Sequence, residues 1–133
     1  MTTEELAELM AECFNELEDS PRPYQAVSSD DISEAHAERN DLQVFVIPYG
    51  ESEEAFDRGD ACREELTCSV VVNGPVTREE GVELSRFLRY GLRETELGGY
   101  RWESNETVSL WDSEALRKGQ FLGLFRATYF EYA

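Results

Sequence analysis

Apolar residues recur at three- and four-residue spacing through Leu6, Leu9, Met10, Cys13, Phe14 and Leu17, the periodicity of one face of an amphipathic helix. Thr2 and Glu5 stand ahead of this stripe at capping-box spacing, where a hydroxyl and a carboxylate can satisfy two orphan N–H groups. The pattern therefore predicts a helix that begins at the amino terminus and ends before Pro21. Its other face reads Glu4, Glu5, Glu8, Glu12 and Glu16, either a solvated face or a surface for charge-guided contact. Pro21 and Pro23 break the helix, Tyr24 to Val27 fits a short strand, and Asp30 to Glu38 reads as a helical turn or ordered loop capped by Ser29 or Asp30.

From Leu42 to Ile47 the period changes to two, with Leu42, Val44 and Val46 against Gln43, Phe45 and Ile47. Both faces are largely apolar, so this strand is expected inside the sheet, ended by Pro48 and Gly50. Residues 50 to 63 read as an acidic polar loop before a second strand, Leu66 to Asn73, with Leu66, Cys68, Val70 and Val72 facing the core. Asn73-Gly74-Pro75 is a turn, and Thr77 to Glu80 is a second capping box that opens a long helix running to about Leu97, where Gly98-Gly99 stops it. Leu84, Phe87, Leu88, Gly91 and Leu92 form its apolar stripe. Burial of each large side chain there is worth about 1.5 to 3 kcal/mol, which makes this helix the expected packing partner of the sheet. Val108 to Trp111 and Phe121 to Tyr132 complete the strands. In the last, Phe121, Phe125, Ala127 and Tyr129 share one face, and the other is too apolar for open water, so the first helix or a neighbouring subunit is expected to cover it.

These elements predict one α+β domain over residues 1–133: a mainly antiparallel four- to five-stranded sheet packed against one long helix, plus an amino-terminal helix. A chain of 133 residues is large enough to hold a core without staples. Neither an eighteen-residue apolar run nor a secretory signal is present, so no membrane partner is expected. Cys13, Cys62 and Cys68 form no CxxC pair and read as reduced, packed thiols.

Charge changes this picture most. The net charge is −17, and residues 1 to 60 hold 17 acids against 3 arginines, whereas residues 61 to 133 hold 12 acids against 9 basic residues. Such a surface disfavours ordinary nucleic-acid binding, which depends on Lys and Arg displacing counterions.

Little in the chain suggests catalysis. His36 is the only histidine, and no nucleophile lies near it at a workable spacing. HExxH, CxxC and glycine-rich phosphate loops are absent from the sequence, and no metal or cofactor is expected. Glu51, Glu53, Glu54, Asp57 and Asp60 could bind calcium but lack the alternating pattern of a calcium loop. Arg58-Gly59-Asp60 spells an adhesion tripeptide that three residues produce readily by chance. Tyr100, Trp102 and Trp111 could stack bases, but core or interface packing is the better reading.

The carboxyl-terminal third carries a more specific pattern. Asp112 or Ser113 can cap a short helix over Glu114 to Lys118, stopped by Gly119 and followed at once by the closing strand. This Asp-x-Glu-x-Leu segment before a Phe-led strand ending in Thr-Tyr, here Asp112, Glu114, Leu116, Phe121, Thr128 and Tyr129, resembles the end of the tail-terminator and tail-completion (neck) proteins of long-tailed bacteriophages. The resemblance extends over roughly residues 42 to 132, through a strand ending in Pro48, a loop carrying Arg58, a second strand, and a long helix with an acidic first turn.

The resemblance implies a structural, non-enzymatic virion protein, assembled in the host cytoplasm. It would form a homo-oligomeric ring, by family analogy a hexamer, that covers the last ring of the major tail tube protein and meets the head-tail connector, with DNA only passing through its lumen. Glu51, Glu53, Glu54, Asp57, Arg58, Asp60, Trp111 and Phe130 are the expected interface or lumen residues. An acidic inhibitor, immunity protein or DNA mimic that blocks a basic nuclease or nucleic-acid-binding target is the alternative. A carboxylate-dyad hydrolase is permitted by 29 acids and favoured by none of them in particular.

Overall fold

A computed structural model describes residues 1–28, 42–55, 62–109 and 121–132. Helix α1 spans Thr3–Glu16, with Thr2 as N-cap accepting the Glu5 N–H at 3.2 Å. Strand β1 (Tyr24–Val27) follows, then β2 (Leu42–Ala55), β3 (Cys62–Gly74), helix α2 (Arg78–Leu92), and strands β4 (Glu96–Leu97), β5 (Tyr100–Ser109) and β6 (Phe121–Tyr132). Thr77 caps α2 as its sequence predicts, accepting from the Glu80 N–H at 3.3 Å. Each hydroxyl satisfies an N–H that the helix itself cannot.

The expected architecture needs correction. The strands form one six-stranded sheet in the order β1-β2-β3-β6-β5-β4, curled into a half-barrel, and it is mixed because β1 runs parallel to β2. Two helices of similar length, 14 and 15 residues, share the packing, in place of one long helix on four or five antiparallel strands. The cause is local. Arg93 leaves helical geometry, Glu94 is left-handed at φ 59°, and the Thr95 hydroxyl donates to the Leu92 carbonyl at 2.6 Å. The helix therefore stops at Leu92. Gly98 and Gly99, at φ 57° and 85°, form the two-residue turn of the β4–β5 hairpin, a geometry that favours residues able to adopt positive φ. Strand β5 consequently starts at Tyr100, well before Val108.

Pro48 and Gly50 do not end β2. The register passes from Pro48 opposite Cys68 to Gly50 opposite Thr67, so Tyr49 is the extra residue of a bulge that accommodates the proline. The span read as a loop over residues 50 to 63 is paired at both ends, out to Ala55 opposite Cys62. The predicted turn over Asp30 to Glu38, the short helix over Glu114 to Lys118 and the last residues of the Val108 to Trp111 strand lie outside the described residues.

Both helices lie on one face of the sheet. Leu6, Met10 and Phe14 of α1 and Leu84, Leu88 and Leu92 of α2 join Val44, Val46, Cys68, Val70, Phe125, Ala127 and Tyr129 in a single core. Helix α1 packs on β1, β2 and β3, and α2 on β6. The first helix therefore does not cover the opposite face, although Phe45 and its register partner Val71 are buried there. Asn15 fastens α1 to the edge of the sheet, its side chain exchanging two 2.9 Å hydrogen bonds with the backbone of Ala26 in β1.

Candidate functional site

Of the predicted interface and lumen residues, Glu51, Glu53 and Glu54 lie on β2 and Phe130 on β6. Glu51 belongs to β2 and reaches the start of α1, where its Oε1 accepts the Thr3 N–H at 3.2 Å. A carboxylate at a helix N-terminus satisfies an orphan donor and opposes the positive end of the macrodipole. Glu51 thus has a role within its own chain. Glu53 and Glu54 continue β2 opposite Glu64 and Arg63. Glu64, the register partner of Glu53, accepts the Tyr100 hydroxyl at 2.7 Å through its Oε2. Asp57, Arg58, Asp60 and Trp111 lie outside the described residues.

Phe130, on β6, is half-buried beneath an arginine. The Arg63 guanidinium sits 4.4 Å from the Phe130 ring centroid and 6.0 Å from that of Tyr132. Arg63 also pairs with Glu65 of β3 at 3.1 Å and with Glu103 of β5. Its side chain is only 17% exposed, so this clamp ties β3, β6 and β5 together across the sheet, through contacts stronger than those of an open surface pair.

A second constellation was not anticipated. The last two turns of α2 carry Arg86 and Arg89, and Arg93 follows as its C-cap, so the three stand at i, i+3 and i+7. With Tyr90, and with Trp102, Glu103, Ser104 and Asn105 of β5, they line a cleft of about 380 Å³. A bulge between Trp102 and Ser104 interrupts β5 at this point, which re-aims the strand's side chains. The wall is held by a short network. Asn105 donates to the Arg89 carbonyl at 2.8 Å and accepts from the Trp102 indole at 3.1 Å, while Arg89 donates to the Thr107 hydroxyl at 2.6 Å.

The cleft is electrostatically unusual for a chain of net charge −17. Among the described residues, no carboxylate forms an ion pair with Arg86, Arg89 or Arg93. Burial lowers the affinity of Arg89 for its proton, and the neighbouring charge of Arg86 lowers it further. Tyr90 is 73% exposed at the rim, with the Arg93 guanidinium 5.9 Å from its ring centroid. Guanidinium groups beside aromatic faces suit carboxylates and other oxyanions. The arginine spacing was legible in the sequence, but Trp102 and Asn105 join it only because α2 ends early and β5 folds back beside it. Searched against models of protein families and against curated proteins, the chain matches none of them.

Proposed function

We propose that this chain is a structural assembly protein of a long-tailed bacteriophage, a subunit of the ring that covers the end of the tail tube and joins it to the head connector. Its work is binding, without turnover. The order of elements supports the reading: β3, a helix with acids in its first turn and the Phe-led closing strand follow one another in the sequence order of the resemblance, although β2 runs on past the Pro48 at which that pattern ends its strand.

The observation that carries the proposal is the acidic end of the β2–β3 pair. The ladder continues past the bulge through Ser52 opposite Glu65, Glu53 opposite Glu64 and Glu54 opposite Arg63, which brings acids of both strands to one end of the pair. Set around a pore in six copies, these carboxylates would repel passing DNA, because a screening length of about 8 Å at physiological salt leaves their field effective across a narrow channel. Glu51, exposed at the same end of β2, also accepts the Thr3 N–H. The ring would meet the tube protein on one side and connector proteins on the other, within the virion.

Electron microscopy of particles made by a phage that carries this gene in interrupted form tests the assignment. Filled heads lying free beside overlong or unterminated tails are expected, and normal virions would discard it. Glu53→Lys with Glu54→Lys should impair DNA ejection or head–tail joining, and unaltered infectivity would remove these residues from the lumen. The exposed row Glu4, Glu5, Glu8, Glu12 and Glu16 on α1 favours a second reading, an acidic inhibitor of a basic nuclease. A tight one-to-one complex with such a target, formed by a strictly monomeric chain, would select it.

A further inference from the structure

We propose that the cleft between α2 and β5 is the docking site for the acidic face of α1 on a second copy of this chain. This inference rests on the ring reading and names the two surfaces that would join neighbouring subunits.

Placement is the first argument. Helix α1 packs chiefly on β1, β2 and β3, with smaller contacts to α2 and β4, and the arginine cleft lies between α2 and β5. Among the described residues no ion pair joins the exposed carboxylates of α1 to the arginines of the cleft in the same subunit. A contact between unlike patches is heterologous, and repetition of one such contact closes a ring when the rotation permits.

Spacing is the second argument. Arg86, Arg89 and Arg93 follow the i, i+3, i+7 pattern, and so do Glu5, Glu8 and Glu12, all three exposed on α1. Each row is about 10 Å long at 1.5 Å per residue, so two helices laid side by side can match charge for charge. The mechanism needs carboxylates from outside the subunit, because Arg86 and Arg93 are exposed and no ion pair within the described residues neutralises them. Trp102 and Tyr90 supply apolar walls that lower the local dielectric around such pairs. Electrostatic matching of this kind fixes register and speeds association more than it adds affinity.

The contact needs no tube end to form, so it can be tested on the isolated protein by native mass spectrometry and sedimentation. Two variants are required: Arg86→Glu with Arg93→Glu, which reverses the cleft, and Glu8→Arg with Glu12→Arg, which reverses the helix. These are exposed positions, and unchanged circular dichroism and melting temperature would confirm that both variants fold. The native chain should self-associate at low salt and dissociate between about 0.01 M and about 1 M salt, as the screening length falls from about 30 Å to about 3 Å. Each variant alone should associate at least about tenfold more weakly. A chain carrying all four reversals should recover assembly.

Either variant assembling like the native chain would overturn the docking site while leaving the ring reading intact. A native chain that stays monomeric at every salt concentration would also overturn it, and the tail-length experiment would then judge the ring separately. Loss of assembly without recovery in the fourfold variant would reject the α1 face as the occupant of the cleft.

Discussion

The carboxylate of Glu51 in β2 accepts the backbone N–H of Thr3 at the first turn of α1, 48 residues away in sequence. The Thr3 hydroxyl lies 3.4 Å from the same oxygen, and the Thr3 carbonyl accepts a hydrogen bond from the buried Cys68 thiol at 3.5 Å. Helix start and sheet are thereby joined through one residue. Replacing Glu51 with Ala removes an N-terminal anion and an acceptor, and should cost about 0.5–2 kcal/mol of stability. Urea unfolding should show that loss for Glu51→Ala. No change would mean that water substitutes fully for the carboxylate.

Gly91 marks where the two helices meet. A Cβ placed there would lie 2.5 Å from Cδ1 of Leu17 and 3.1 Å from its Cδ2. Alanine ordinarily favours a helix interior over glycine by about 1 kcal/mol, but here the leucine must move and the contact be rebuilt, at a cost of about 1–3 kcal/mol. Gly91→Ala should therefore be neutral to destabilising in thermal melts. Combining it with Leu17→Ala should remove the clash and recover the helix-propensity gain, a coupling that a double-mutant cycle would measure.

The buried Tyr129 hydroxyl lies 2.5 Å from the Thr95 hydroxyl, which itself donates to the last turn of α2. This short chain fastens the end of the helix to the closing strand. Tyr129→Phe should cost about 0.5–1.5 kcal/mol, the usual net value of one hydrogen bond. Thr95→Val should cost more, because it leaves the Tyr129 hydroxyl buried without its partner. Equal losses in urea titrations would show that a second acceptor takes over.

Alkaline pH should unfold the protein in a defined window. Burial pushes the Tyr24 hydroxyl from 10 up to about 12, with a smaller contribution from Cys13, and the Cys68 thiol from 9 up to about 12, with a smaller contribution from Glu4. Tyr100 and Tyr129 are raised as well, chiefly by burial. A group whose folded pKa exceeds its unfolded value stabilises the fold fully below the unfolded value, and that contribution disappears as pH rises through the folded one. Stability should therefore hold to about pH 9 and fall steadily towards pH 12. Denaturant midpoints measured across this range, with tyrosinate absorbance followed in parallel, would reveal the coupling.

Much of this fold can be read from periodicity and caps. The Thr2 and Thr77 boxes, β1 over Tyr24–Val27 and β6 over Phe121–Tyr132 all stand where pattern and turn chemistry put them. Gly98-Gly99 was misleading because helix ends and hairpin turns both recruit residues able to adopt positive φ. What separates the two is the bond from the Trp102 N–H to the Thr95 carbonyl at 2.9 Å, a pairing that residue composition does not encode. The acidic stretch after Gly50 has poor intrinsic strand preference, and its extended form depends on pairing with β3. Site residues divide in the same way. The helical arginine row was visible along the chain, whereas the tryptophan and asparagine facing it follow from tertiary structure alone.

The terminal strands of the sheet also limit how this molecule can grow. Strand β1 covers four residues of β2, and β4 covers two of β5. Beyond them, β2 carries a proline and a bulge, and β5 is bent by bulges after Trp102 and Thr107, devices that frustrate backbone pairing with a second molecule. Copies of the chain crowded together are thus steered away from fibre formation, and any contact between them falls to side chains instead of backbone pairing.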